Sequence, residues 1–212
     1  MRPNLTYVYD PLCGWCYGFS ATIGKLFDNY HEKLDFEVIS GGMVIGDREG
    51  PIGEVAPYIQ DAYRQVEERT GVVFGEAFLN DVLDDGRTYF SSLPPSRALA
   101  TIKKHAPAEA FRFSGAIQKA IYYDGINPND PEAYVPYAQT TGVDPQTFLE
   151  CMKDPETEDL AKQDFHFSRQ LQVQGFPAVF VFLNNTYYLI ARGYTDYENL
   201  ERTLNKVLEL NG

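Results

Sequence analysis

Cysteine is scarce in this chain, with three in 212 residues. That excludes a small scaffold stapled by disulfides. It fits a reducing compartment, where a closely spaced pair is more often catalytic or metal-binding than structural. Positive charge is also short: 18 Lys and Arg stand against 30 Asp and Glu, for a formal charge of −12. No basic run occurs, which argues against nucleic acid or anionic membrane as a partner, since both need clustered positive charge. Long apolar runs are missing too. Ala178 to Leu183 spans only six residues, whereas a membrane helix takes about 20. Ahead of Asp10 the apolar stretch is Tyr7-Val8-Tyr9, far short of the roughly 7–15-residue core of a secretory signal. The chain therefore reads as cytoplasmic. At 44% hydrophobic and 23% charged residues, with no low-complexity stretch, it has the composition of an ordinary globular protein.

Against that background one stretch stands out, Asp10-Pro11-Leu12-Cys13-Gly14-Trp15-Cys16-Tyr17-Gly18. It holds two of the three cysteines, directly after the apolar run Leu5 to Tyr9. Behind it Phe19, Ile23, Leu26, Phe27 and Tyr30 recur three or four residues apart, on one helical face. A strand thus delivers a Cys-x-x-Cys to the first turn of a helix. Unpaired backbone N–H groups and the positive end of the helix dipole favour an anion there, so the Cys13 thiol should ionise readily. A free cysteine has a pKa of about 8.5, and such a position brings it to roughly 3.5–7.5. The thiolate is the nucleophile of disulfide exchange, and Cys16, one turn on, is placed to resolve the mixed disulfide.

Leu5 to Tyr9 reads as a strand, Gly14 to about Tyr30 as a helix with Gly24 as a weak spot, and Leu34 to Ile39 as a second strand ending at Gly41-Gly42. A right-handed crossover makes the two strands parallel. From Met43 to Lys153 the pattern predicts helices and no strands. One helix carries Val55, Ile59, Ala62, Tyr63 and Val66 and ends at Thr70-Gly71. A second begins with Ala98, Leu99 and Ile102 after Pro94-Pro95-Ser96, and a third carries Phe111 to Ile121. Segment 74–93 suggests a short helix and a loop. Asp130-Pro131, Asp144-Pro145 and Asp154-Pro155 each read as an N-cap followed by proline at the first helical position. After the helix from Asp154 to about Gln172, Ala178 to Leu183 forms a strand, Asn184-Asn185 a tight turn, and Tyr187 to Ala191 the returning strand. Thr195 to Glu198 has capping-box spacing and starts the last helix. The order is βαβ, a helical block, then αββα. The outer parts, 1–43 and 155–212, are each incomplete alone but together match one small α/β domain, into which 44–154 is inserted as a helical domain.

This pattern resembles the thioredoxin fold with the helical insertion of the DsbA-like family. The Asp-x-x-Cys-x-Trp-Cys-Tyr stretch at 10–17 resembles in particular its FrnE-like, disulfide-isomerase branch. The resemblance implies that Cys13 attacks, that Cys16 resolves, and that Pro177 is a cis-proline facing them. A proline opening a buried strand supplies no N–H there and leaves neighbouring backbone free for a bound peptide. Trp15, Phe176 and Pro177 are then expected to contact substrate, with Asp10 and Gly14 supporting the motif. Two departures stand out. Many relatives carry a buried acid six residues before the first cysteine as a proton acceptor, and here that position is Tyr7, leaving Asp10 and Glu37 as candidates. Gly14-Trp15 also lacks the histidine of the strongly oxidising Cys-Pro-His-Cys type.

Zinc would need two further ligands, and Cys151, His31, His105 and His166 form no second paired motif; no metal is expected. Cys151 reads as a small buried hydrophobe, and the histidines as unpaired with acid or thiol. The leading functional expectation is a thiol–disulfide oxidoreductase or isomerase acting on protein or small-thiol disulfides. Its only redox group would be the Cys13–Cys16 pair, with glutathione as a conceivable co-substrate and a thiol electron donor or acceptor not identified. Substrate would bind in a groove between insertion and catalytic part. Two other classes stay open. One is a glutathione-dependent isomerase or kappa-type transferase, which typically has serine in place of Cys13. The other is a non-catalytic adaptor presenting clients, which does not need both cysteines.

Overall fold

The computed structural model describes residues 2–211. In chain order the elements are β1 (Asn4–Tyr9), α1 (Gly14–Tyr30), β2 (Asp35–Ser40), β3 (Gly50–Pro51), α2 (Ala56–Thr70), β4 (Tyr89–Phe90), α3 (Leu93–His105), α4 (Ala110–Tyr122), α5 (Val135–Gln139), α6 (Pro145–Lys153), α7 (Pro155–Gln170), β5 (Ala178–Leu183), β6 (Thr186–Arg192) and α8 (Tyr197–Leu208). β1 is the inner strand from which the site is launched. It pairs parallel with β2, from Asn4 opposite Asp35 to Tyr9 opposite Ser40, and antiparallel with β5, from Asn4 opposite Phe182 to Val8 opposite Ala178. β6 completes a four-stranded sheet of order β2-β1-β5-β6.

Both faces of this sheet are covered, which is why its inner strands are apolar without alternation. On one face Leu5, Tyr7 and Tyr9 join a cluster with Phe19, Ile23 and Leu26 of α1, Ile117 of α4 and Leu200 and Leu204 of α8. On the other, Val8, Ile39, Ala178 and Phe180 pack against Phe167 and Leu171 at the end of α7. The first cluster runs on without a break into Phe74, Phe78, Leu99 and Phe148 among the intervening helices. Gly18 matters to that continuity. A Cβ there would lie 2.7 Å from Val66 Cγ1 and 2.8 Å from Thr70 Cγ2, so its hydrogen lets α2 close onto α1 beside the motif.

Local chemistry sets the ends of the elements as expected at most places. Asp130, Asp144 and Asp154 each accept from a backbone N–H of the helix that follows. Gly71 closes α2 at φ 77°, and Asn184 and Asn185 turn the β5–β6 hairpin at φ 50° and 59°. Four details differ. The last helix is capped by Asp196, not by the Thr195 box, because Asp196 is the residue with extended backbone and accepts from Asn199 N at 2.8 Å. α3 starts at Leu93, before the proline pair, which sits in its first turn where no N–H is needed. Ala77–Asp84 is a wide, π-type helical turn. The stretch expected to lack strands holds a two-residue ladder, Gly50–Pro51 against Tyr89–Phe90, too short to show alternation. Among the described residues no helix is long and apolar enough to cross a membrane.

Candidate active site

β1 ends at Tyr9, and the chain turns so that Cys13 N donates to Asp10 O at 3.1 Å. Cys13 keeps extended backbone (φ −97°, ψ 108°) and forms the N-cap of α1. Its Sγ accepts from Cys16 N at 3.2 Å, the place usually taken by a serine or aspartate oxygen. A sulfur anion held there is met by an N–H and by the positive end of a 17-residue helix. Both thiols are free; Cys13 is 5% exposed and Cys16 fully buried. Burial pushes the Cys16 thiol well up, and the neighbouring Cys13 adds to this, while the Asp10 N–H pulls the other way.

Asp10 lies beneath the turn, fully buried. Its Oδ1 accepts from Leu12 N at 2.9 Å and from the Ser92 hydroxyl at 2.8 Å, and its Oδ2 accepts from Met43 N at 2.6 Å. Ser92, at the head of α3, also accepts from Val44 N at 2.9 Å. One carboxylate thus ties the cysteine turn, the exit of β2 and the start of α3. Burial raises its carboxyl to about 6 in spite of those donors. From α4, Gln118 Nε2 donates to the carbonyls of Asp10 at 3.3 Å and Cys13 at 3.4 Å. Ser92 and Gln118 gave no sign in the sequence, being the second of two serines just ahead of Leu93-Pro94-Pro95 and a glutamine within an apolar helix.

Above Cys13 opens a groove of about 370 Å³ between the cysteine turn and α2, with no charged side chain along its wall. Cys13, Gly14, Trp15 and Phe176 line it together with Ile59 and Tyr63. Trp15 is partly exposed, flanked by Tyr194 at 6.2 Å and covered by the Arg69 guanidinium at 5.8 Å. The Phe176–Pro177 bond is cis, and Pro177 is buried at the start of β5. The Phe176 ring rests on Gly41, where a Cβ would lie 2.0 Å from ring atom Cε1. Replacing Gly41 with alanine should therefore unseat the ring and cost about 1–3 kcal/mol, an overpacking penalty. Urea midpoints check it, and Gly41→Ala in a Phe176→Ala background should cost much less. Equal costs in the two backgrounds would refute the seating. Gly14 is under no such constraint, since a Cβ there would meet Phe74 at 3.6 Å, an ordinary contact.

The two candidate acids separate. Asp10 is at the site, whereas Glu37 sits on β2 opposite Thr6, beside Lys103 and Asp164, and is not brought to the thiols. Tyr7 lies behind Cys16. Its hydroxyl is driven well above the usual phenol range by burial, then by Cys16 and Cys13. The expectation that no histidine pairs with a thiol is corrected: His105 Nε2 lies 3.2 Å from Cys151 Sγ, where the end of α3 meets α6. Burial pushes the Cys151 thiol up. Among the described residues no three or more His, Cys, Asp or Glu side chains gather closely enough to hold a metal ion.

A dithiol at a helix start, launched from an inner strand and faced by a cis-proline loop, defines a protein of the thioredoxin fold. The chain belongs to the DSBA-like thioredoxin domain family, whose model matches residues 4–205. A comparison with curated protein sequences finds no match. Among solved structures, a candidate protein disulfide isomerase from Nitrosomonas europaea superposes with a TM-score of 0.87 at 24% identity, covering 100% of both chains. The cytosolic disulfide reductase DsbM from Pseudomonas aeruginosa gives 0.80 at 23%, covering 98% of this chain and 99% of its own. The same protein with GSH gives 0.77 at 22%, covering 97% and 99%. These likenesses are of fold.

Proposed function

We propose that the protein is a thiol–disulfide oxidoreductase or isomerase of the FrnE-like branch, acting through Cys13-Gly14-Trp15-Cys16. The observation that carries this reading is the Cys13 sulfur, capped by Cys16 N–H at 3.2 Å and opening on an apolar groove. Cys13 attacks a substrate disulfide, one substrate thiolate leaves, and a mixed disulfide forms. Cys16 then attacks Cys13 Sγ, and the second substrate thiolate departs as the internal disulfide closes. Asp10 and Gly14 support the turn, and Trp15, Phe176 and Pro177 align the substrate chain. The uncharged wall favours a protein substrate whose cysteine is flanked by apolar residues, as in an incompletely folded chain.

In this reading residues 44–154 are a helical insertion that supplies one side of the groove, and 1–43 with 155–212 form the thioredoxin-like part. No cofactor beyond the cysteine pair is involved. Glutathione serves as the co-substrate that resets the pair, a role supported by the structural likeness to a cytosolic reductase that has been seen with GSH. The same likeness and the scarcity of cysteine support a cytoplasmic setting, and the net charge of −12 supports partners other than nucleic acid or membrane.

The test is a glutathione redox titration read by the fluorescence of Trp15, the only tryptophan, which lines the groove beside Cys13. A single two-electron transition is expected, absent when either cysteine is changed to serine. Emission indifferent to redox poise, with both thiols still alkylated under oxidising buffer, would refute the proposal.

A further inference from the structure

Beside the cysteine motif, but outside the lining of the groove, stands Arg69 in the last turn of α2. It is exposed, and its guanidinium lies over the Trp15 ring at 5.8 Å. Arg97, Lys103, Lys104, Arg112 and Lys119 are each paired with a carboxylate; among the described residues no carboxylate meets Arg69. Its backbone is fixed from two sides. The Tyr194 hydroxyl donates to Arg69 O at 3.1 Å, and Val66 and Thr70, its neighbours along α2, close onto Gly18 of α1. Tyr194 in turn stands edge-on to Phe19 at 6.3 Å and beside Trp15 at 6.2 Å, and Gly193 N donates to Pro177 O at 2.7 Å. Trp15, Tyr194 and Arg69 thus form a rim tied to the cis-proline loop, and Trp15 shares the groove with Cys13.

A cation in the last turn of a helix suits the helix dipole. That accounts for an arginine at the end of α2, not for its place over the indole. Arginine seated on an aromatic ring keeps its planar fork of N–H donors for a carboxylate at its edge. The need for such a contact is electrostatic. The chain carries −12, so a thiol bearing two carboxylates and one ammonium is repelled by the protein as a whole. The groove wall offers it no charge. Resting on the dithiol reading above, with glutathione as the thiol that resets the pair, we propose that Arg69 on its Trp15 seat takes a carboxylate of glutathione while the glutathione sulfur is at Cys13. A tripeptide extends over at most roughly 11 Å, and its reacting sulfur belongs to the middle residue, so either carboxylate is a short span away. The two substrates then use different surfaces, the apolar groove for a protein chain and the Trp15–Arg69 rim for the tripeptide.

The chemistry is ordinary exchange. A glutathione thiolate attacks Cys13 Sγ of the closed pair, the Cys13–glutathione bond forms, the Cys13–Cys16 bond breaks, and Cys16 leaves as a thiolate that takes up a proton. A second glutathione thiolate attacks the sulfur of the first, releasing glutathione disulfide and the Cys13 thiolate. Arg69 moves no electrons. It determines specificity by recognising the charge that the thiol carries.

The experiment reduces the oxidised protein with an excess of anionic glutathione, neutral mercaptoethanol or cationic cysteamine, and times the return of the Cys13 and Cys16 thiols by quenching and alkylation. In Arg69→Gln the rate with glutathione relative to mercaptoethanol should fall about three- to tenfold at low salt. The rate with cysteamine relative to mercaptoethanol should not fall, and Arg69→Lys, which keeps the charge, should keep part of the preference. Lys33→Gln removes the same charge beyond the far end of α1, where Lys33 lies over Tyr30, and should leave both ratios as they are. A glutathione ratio unchanged in Arg69→Gln, cysteamine slowed as much as glutathione, or an equal loss in Lys33→Gln would overturn the proposal. So would an unmodified protein reduced by mercaptoethanol but not by glutathione. If the unmodified protein closes no internal disulfide at all, it is the dithiol reading that fails.

Discussion

Serine in place of Cys13 is expected to lower the rate of insulin reduction by dithiothreitol, followed by turbidity, about 10³-fold or more, the scale on which removing a nucleophile acts. The substitution is informative because it changes so little else. A serine oxygen can accept from Cys16 N as the sulfur does at 3.2 Å, and serine is among the best N-caps. The fold should hold to within about 0.5 kcal/mol. What is lost is the sulfur nucleophile at the floor of the groove, whose work an alcohol does not do unaided near neutral pH. Cys16→Ser separates the steps differently. Cys13 still attacks, but nothing closes the internal disulfide, so the protein should accumulate in mixed disulfides with its substrates, visible as reducible conjugates on a gel. If Cys13→Ser reduced insulin as fast as the unmodified protein, neither sulfur would be needed, and the adaptor reading would gain.

Those two cysteines were legible in the sequence because everything that defines them is local. The run Leu5–Tyr9, the break at Asp10-Pro11 and the three-to-four spacing from Phe19 to Tyr30 lie within 26 residues, and the strand and helix form where the pattern puts them. The Asp-Pro caps were legible for the same reason, since a side chain bonding backbone two or three residues on leaves its mark in spacing, and the Asn184-Asn185 turn because asparagine tolerates the positive φ found there. The supports of the site are different in kind. Ser92 reaches Asp10 across 82 residues and Gln118 reaches Cys13 across 105, and no periodicity records such pairings. The seat of Phe176 on Gly41 and the contact of His105 with Cys151 are of the same sort. Glu37 shows the converse error. It was named with Asp10 as a candidate acid, but strand register places it opposite Thr6, with Lys103 and Asp164 for company.

Asp10 is where those long-range supports converge, and alanine there is expected to destabilise the protein by about 2–5 kcal/mol near neutral pH. Three donors lose their acceptor at once, the N–H groups of Leu12 and Met43 and the Ser92 hydroxyl, and a buried donor left unpaired costs about 1–3 kcal/mol. Against this stands the relief of an ionised group that the fold holds at a disadvantage. The Asp10 carboxyl is raised from 3.8 to about 6 by burial, which at 1.36 kcal/mol per pH unit amounts to about 3 kcal/mol. Three unpaired donors at about 1–3 kcal/mol each outweigh that relief. The sign of the pH dependence follows. A carboxyl raised in the folded state contributes stability that is full below its unfolded value near 3.8 and is lost as pH rises through about 6. Urea midpoints of the unmodified protein should therefore carry a component that declines across that window. Asp10→Asn, which keeps an acceptor oxygen but cannot titrate, should lack that component. Identical pH profiles for the two proteins would mean that Asp10 is not held as a buried acid. The clamp joining the cysteine turn to Met43 and Ser92 would then have to act through a carboxylate as free to ionise as one in water.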